Sequence, residues 1–240
     1  MIRRTPLYIV CSPRPRVGRT LLARLLVDYF LLEGRPVAAF DFSHEAPALA
    51  RYLPRHTVLA DIGGIRGQMA VFDRLIAGDR VAKVVDLAPS AFEQFFAVLR
   101  DIGFVEDARL QRIEPVALFM ANADSASTRS YAMLRARHPE MLLVPVYNEA
   151  AGRARHDREA YPLSRAVSVP IHIPALPPAL HRFIDKPPFC FADFRTEAPA
   201  GIPLDTYMNL HRWMRRVFVE FRELELRLLL TDVKAALSHG

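Results

Sequence analysis

The stretch Pro13-Arg14-Pro15-Arg16-Val17-Gly18-Arg19-Thr20 has residue types and spacing that could hold an anion. A glycine followed by a long cation and a hydroxyl, set between an apolar run and an amphipathic stretch, is the layout of a phosphate-binding loop. In such a loop backbone N–H groups and the first turn of a helix surround the anion, because unpaired amides and the helix dipole both favour negative charge there. Against the general pattern G-x-x-x-x-G-K-[ST], Gly18 and Thr20 fit, Pro13 replaces the first glycine and Arg19 replaces the lysine. Two prolines remove two donors from a loop whose chemistry rests on donors. A planar guanidinium also needs a differently shaped pocket from an ammonium.

The elements that must position these residues are legible on both sides. Leu7 to Cys11 is a short apolar run that predicts a buried strand. From Arg19 onward, Leu21, Leu22, Leu25, Leu26, Tyr29 and Phe30 recur at helical spacing and predict about four turns of helix, ended by Gly34. A second strand, 36–40, stops at Asp41. A third, 81–85, stops at Asp86 and runs into Leu87-Ala88-Pro89-Ser90. A strand over 114–121 ends in the polar tip Asn122, close to Asp124, with Ser125 or Ser127 available to cap the helix that follows.

Position by position, Ser12 to Thr20 (SPRPRVGRT) resembles SGKGGVGKT, the deviant Walker A loop of the ParA/MinD-like ATPases. Ser12, Val17, Gly18 and Thr20 are identical. Arg14 falls on that family's signature lysine, which reaches across a dimer to the partner's nucleotide, and Arg19 falls on the loop lysine. FDFSHEAPAL resembles the Walker A′ region, with Asp41 on its first aspartate and Ser43 where the second, associated with the attacking water, would stand. VVDLAP resembles the Walker B strand and its turn. The order of strand, helix and LLVPVYNEAAG further along is similar to the ParA-like proteins of conjugal-transfer and mobilisation operons.

The resemblance implies ATP or ADP with Mg²⁺ as cofactors. It implies catalytic roles for Arg14, Asp41 and Asp86, and nucleotide contacts from Ser12, Arg14, Arg16, Val17, Gly18, Arg19, Thr20 and Leu21. Asn122 is the candidate for base recognition, and Thr20, Asp41 and Asp86 are the candidates for the metal. It further implies a homodimeric switch that recruits a protein partner or non-specific DNA. With Ser43 in place of a carboxylate, hydrolysis is expected to be slow or absent. A pseudo-NTPase that keeps the fold as an interaction module is the alternative, supported by Pro13, Pro15 and Arg16. An ATP-dependent small-molecule enzyme similar to the dethiobiotin synthetases is a third reading, to which no substrate-binding constellation points.

Composition narrows the field. At 240 residues the chain is expected to form one domain with a full core, and its 51% hydrophobic and 24% charged content is that of a globular protein. The net charge of +6 is diffuse, and only Lys83, Lys186 and Lys234 are lysines, so exchange of lysine for arginine runs through the whole chain. Cys11 and Cys190 have no metal or redox spacing. No apolar run reaches the ~18 residues of a membrane span. With no signal-peptide pattern either, a cytoplasmic location is expected.

Alternation of strands and helices over the core, 5–150, predicts an α/β fold with a doubly wound, mostly parallel sheet and helices on both faces, that of the P-loop NTPases. A Pro-rich segment, 162–203, is expected to hold a short edge strand around His172 and then to wrap over the surface. A long helix, 204–237, follows, with Asp205 or Thr206 as its cap. Its apolar stripe is expected to pack on its own domain, with a dimer seam or a membrane-surface role as the sharper alternatives, of which Glu223 and Glu225 among the arginines argue against the membrane.

Overall fold

A computed structural model describes residues 4–43, 48–152, 159–163, 169–197 and 201–237. The stretch 153–159, whose charged sequence reads as an exposed piece, lies outside these residues but for Glu159. In chain order, β1 (Thr5–Cys11) leads through the phosphate-type loop into α1 (Arg19–Leu32), then β2 (Val37–Asp41), α2 (Ala48–Tyr52), β3 (Thr57–Leu59), α3 (Ile65–Ile76) and β4 (Ala82–Asp86). Next come α4 (Phe92–Asp101), α5 (Phe104–Leu110), β5 (Ile113–Met120), α6 (Ser125–Arg137), β6 (Leu142–Asn148) and β7 (Ile171–Ile173). The chain ends with α7 (Pro178–Ile184), α8 (Phe191–Thr196) and α9 (Leu204–Leu237).

The seven strands found among the described residues are all parallel, in the order β3-β2-β4-β1-β5-β6-β7. β1 is central and, apart from Thr5, buried on both faces, as expected of a continuous apolar run inside a parallel sheet. Alternate side chains enter two separate cores. Tyr8 and Val10 join α1, α7, α8 and α9 on one face, and Leu7, Ile9 and Cys11 join α3, α4, α5 and α6 on the other. The expected doubly wound α/β architecture is the one observed.

The end of α1 follows from one glycine. Gly34 adopts φ +65, its N–H bonds Leu31 O, and the N–H of Arg35 bonds Phe30 O. This closing turn needs a left-handed residue after the cap, and glycine takes that conformation without steric cost.

Three features depart from the sequence reading. α5 interrupts what reads as loop, entered through Gly103 in the left-handed conformation. The Pro-rich segment does carry its edge strand, β7 beside β6, but it does not merely wrap the surface. It forms α7 and α8, whose Leu180, Ile184, Phe191 and Phe194 are buried in the α1-side core. And α9 begins at Leu204, so Asp205 and Thr206 lie within its first turn. Its Leu210, Trp213, Val217, Phe221 and Leu224 enter the same core, and the Trp213 indole N–H bonds Pro174 O at 2.8 Å. The long helix thus packs on its own domain. Among the described residues no helix is long and apolar enough to cross a membrane.

Candidate functional site

Neighbouring strands leave the sheet in opposite directions at β1 and β5. The chain passes from β1 over the α1 face to β2, and from β5 over the other face to β6. Such a reversal opens a crevice outside the carboxyl ends of the strands, where ligands of open α/β sheets bind. Register brings the candidates to this edge. Val10 of β1 and Asp41 of β2 both lie level with Asp86 of β4, so Asp41 and Asp86 are side by side on adjacent strands.

The loop after β1 is held by its own carboxylates. Arg19 Nε donates to Asp86 Oδ1 at 2.8 Å, and Thr20 Oγ1 donates to Asp86 Oδ2 at 2.6 Å. Asp86 has no exposed surface. Burial pushes its carboxyl above the ordinary carboxylate range, while Arg19 and Thr20 pull it back. Arg19 Nη1 is buried with no hydrogen-bond partner. Arg14 lies outside, with Nε and Nη2 both donating to Asp124 Oδ1 at 3.0 and 2.9 Å, and its N–H bonds the buried Ser12 Oγ.

Two loop residues occupy the left-handed region, Arg16 at φ 60 and Gly18 at φ 90. Arg16 has a side chain there, at a cost of about 1–2 kcal/mol, in the position where the ParA/MinD-like pattern has glycine. Gly18 is the N-cap of α1 and provides no side-chain cap. Among the described residues, the N–H groups of Arg16 through Leu21 donate to no protein acceptor. The loop thus presents a row of free donors at a helix N-terminus despite its two prolines.

Asp41 has a structural task. Its oxygens accept the N–H groups of Ser43 at 2.9 Å and Ala50 at 3.1 Å, so it caps α2 from nine residues upstream. Ser43 stands where the resembled pattern has its second carboxylate, and its N–H is turned toward Asp41. Asn122 meets Tyr161 through its backbone, its N–H donating to the phenol oxygen and its carbonyl accepting the phenol proton. Asp124, rather than Ser125 or Ser127, caps α6, accepting from the N–H groups of Ala126 and Ser127 and the Ser127 hydroxyl. Slight burial pushes its carboxyl up, but Arg14 and these donors hold it down at about 2. Val17 is buried, Leu21 packs at the edge of the core, and Arg16 is exposed.

Sequence reasoning brought together Gly18, Arg19, Thr20, Asp41 and Asp86, and it missed Asn148. This residue ends β6, and its Nδ2 donates to Val17 O at 3.0 Å from two strands away. A Cβ on Gly18 would stand 2.2 Å from that nitrogen, so the loop and Asn148 fit together only with glycine at position 18. The signal was the one used for Asn122, a polar tip on an apolar strand.

The donors suit phosphate, and the hydroxyl–carboxylate pair of Thr20 and Asp86 suits a hard divalent cation. No clusters of three or more histidine, cysteine or acidic residues that could hold a metal occur among the described residues, so a cation here would keep several waters. No protein-family model matches the chain, and no curated protein matches it.

Proposed function

We propose that the chain is a ParA/MinD-like nucleotide-binding switch with slow or absent hydrolysis, acting as a homodimer in partitioning, mobilisation or positioning. The observation that carries this reading is the set of donors left without acceptors at the start of α1: the N–H groups of Arg16 to Leu21 and the buried Nη1 of Arg19. A buried donor without an acceptor costs about 1–3 kcal/mol, which applies here to Arg19 Nη1; the N–H groups beside it, free as at any helix N-terminus, point the same part of the loop at an anionic ligand.

In this reading Arg19 and the loop amides hold the phosphates of ATP or ADP, and Thr20 with Asp86, next to Asp41, holds Mg²⁺. The bound metal would supply charge neutralisation at the phosphates. Asn122 stays the candidate on the base side. Neither nearby aspartate is free to orient a water, since Asp41 is engaged by two N–H groups and Asp86 by Arg19 and Thr20. This supports slow turnover. Arg14 would reach a partner subunit by leaving Asp124, and an exposed pair of this kind costs only ~0–1 kcal/mol to break. A cytoplasmic location and recruitment of a protein or non-specific DNA belong to the same proposal.

One observation favours a second reading, the interaction module. Arg19 is already paired with Asp86, and Asn148 already fills the space over Gly18. Calorimetric titration with ATP and Mg²⁺ separates the two. The switch requires micromolar binding that Thr20→Ala and Arg19→Ala each weaken. A folded protein that binds nothing up to millimolar ATP is an interaction module instead.

A further inference from the structure

Away from the phosphate-type loop, α9 carries His211, Met214, Arg215, Phe218 and Arg222 on one stripe, spaced three, four, seven and eleven residues from the first. Side chains at these spacings share a helix face. Together with Arg195 from the last turn of α8 they line a cleft of about 260 Å³. Its floor is apolar, because Met214 and Phe218 are buried, and Phe218 packs against Tyr29 of α1 at 5.6 Å between ring centroids. Its rim is cationic. The His211 ring stacks on Tyr207 at 6.2 Å, and the Tyr207 hydroxyl reaches the backbone carbonyl of Arg195.

The charges do not balance. Arg222 Nη2 pairs with Glu33 at the end of α1, at 2.5 Å. Among the described residues Arg195 and Arg215 have no carboxylate partner, and the two acids nearest Arg195 in sequence, Asp193 and Glu197, line a different cleft, with Asp193 paired to Arg55. Three guanidiniums and one carboxylate leave a surplus of two positive charges around one concavity, with an imidazole beside them. The three guanidiniums are exposed but border one pocket, and an anion that enters it is attracted by all of them at once.

We propose that this cleft binds a small phosphomonoester, with the phosphate between Arg195, Arg215 and Arg222 and an apolar or flat body on Met214 and Phe218. A monoester carries about −1.5 to −2 at neutral pH and has three acceptor oxygens, which matches the surplus charge and the planar donor forks. A carboxylate brings half that charge. The volume lies just below the ~300 Å³ at which ligand pockets begin, so the ligand is compact. The cleft is separate from the loop after β1 and does not depend on nucleotide binding there.

The test is calorimetric titration of the full chain with phenyl phosphate, a monoester with a flat apolar body, alongside inorganic phosphate. Phenyl phosphate is expected to bind more tightly than phosphate, and Arg195→Ala and Arg215→Ala, both exposed positions, should each weaken it roughly tenfold or more. Arg215→Lys keeps the charge but loses the fork and should fall between. Thr20→Ala should leave binding unchanged, which keeps the result independent of the phosphate-type loop. Absence of heat up to millimolar phenyl phosphate, or binding indifferent to both arginine variants, overturns the proposal. So does tighter binding of a short DNA duplex through the same arginines with a salt dependence well above two phosphate contacts, since that assigns the stripe to nucleic acid.

Discussion

Replacing Arg19 by Met should strand a carboxylate in the interior, and the size and pH dependence of the loss can be worked out beforehand. Asp86 is fully buried and accepts only two side-chain donors, Arg19 Nε and Thr20 Oγ1. Breaking a buried pair from one side typically costs about 3–5 kcal/mol. The loss has a ceiling, because the carboxyl can take a proton instead: at pH 7 that costs 1.36 kcal/mol per unit, about 4 kcal/mol for a group of ordinary pKa 3.9, and less for Asp86, which burial has already raised. Arg19→Met should therefore lose about 3–4 kcal/mol at pH 7 in urea denaturation followed by Trp213 fluorescence. Asp86→Asn should lose less, because it leaves behind a guanidinium that is 13% exposed and can reach water. The sign of the pH effect is fixed. In Arg19→Met the folded-state pKa of Asp86 rises further above the unfolded value, so the folded state holds the extra proton. Stability relative to the parent is then kept at low pH and declines by up to about 1.4 kcal/mol per unit as pH rises above the parent's own, already raised, Asp86 pKa, until the new folded pKa is passed. The double variant Arg19→Met/Asp86→Asn should be more stable than the sum of the single losses, by about 1–3 kcal/mol. A loss below 1 kcal/mol, or one that is additive and flat with pH, would refute the ion pair as the element that closes this loop.

Two further outcomes rest on separate contacts. Asp28, buried on α1, accepts the Cys190 thiol and the N–H groups of Phe191 and Ala192; burial raises its pKa from 3.8 to about 6. The folded state therefore binds the extra proton, and the parent protein should lose about 3 kcal/mol as pH rises from ~4 to ~6; a denaturation series in which Asp28→Asn keeps the same slope would contradict this. Gly18→Ala must place a methyl against Asn148 at φ 90, with about 1–2 kcal/mol due to the backbone alone. Asn148→Ala by itself should cost about 1–3 kcal/mol, through its bonds to Val17 O and from the Ala150 N–H, yet partly rescue Gly18→Ala; strictly additive losses would mean that Asn148 and position 18 do not touch.

The fold was legible wherever a single element buries a continuous apolar run. β1, β4 and β5 announce themselves by buried runs of aliphatic residues, and α1 by its repeat of leucines; their lengths suit only a layered α/β sheet. α5, α7 and α8 were not legible, for two physical reasons. Six or seven residues span fewer than two turns, too short for a 3.6-residue period to stand out. Proline composition also reads as extended chain, although Pro178 sits at the first position of α7, where its missing N–H costs nothing and its fixed φ favours a helix.

In the site, residue types were informative and tasks were not. Asp41 and Asp86 both read as acids at strand ends, and both lie at the crevice. Only the fold shows that one caps α2 and the other anchors Arg19 and Thr20. Asn148 carried the same polar-tip signal as Asn122, but its contact with Val17 was not legible, because that depends on β6 lying two strands from β1 with β5 between. The prolines in the loop were legible as lost donors, but the donors that remain do not settle what the loop can hold. That depends on exchange at Asp86. Arg19 can turn from this buried carboxylate toward an anion only if another cation takes its place, since Asp86 left with Thr20 alone is the stranded charge of the Arg19→Met variant. On the proposed reading the loop would therefore accept a cation and an anion together far more readily than either one separately.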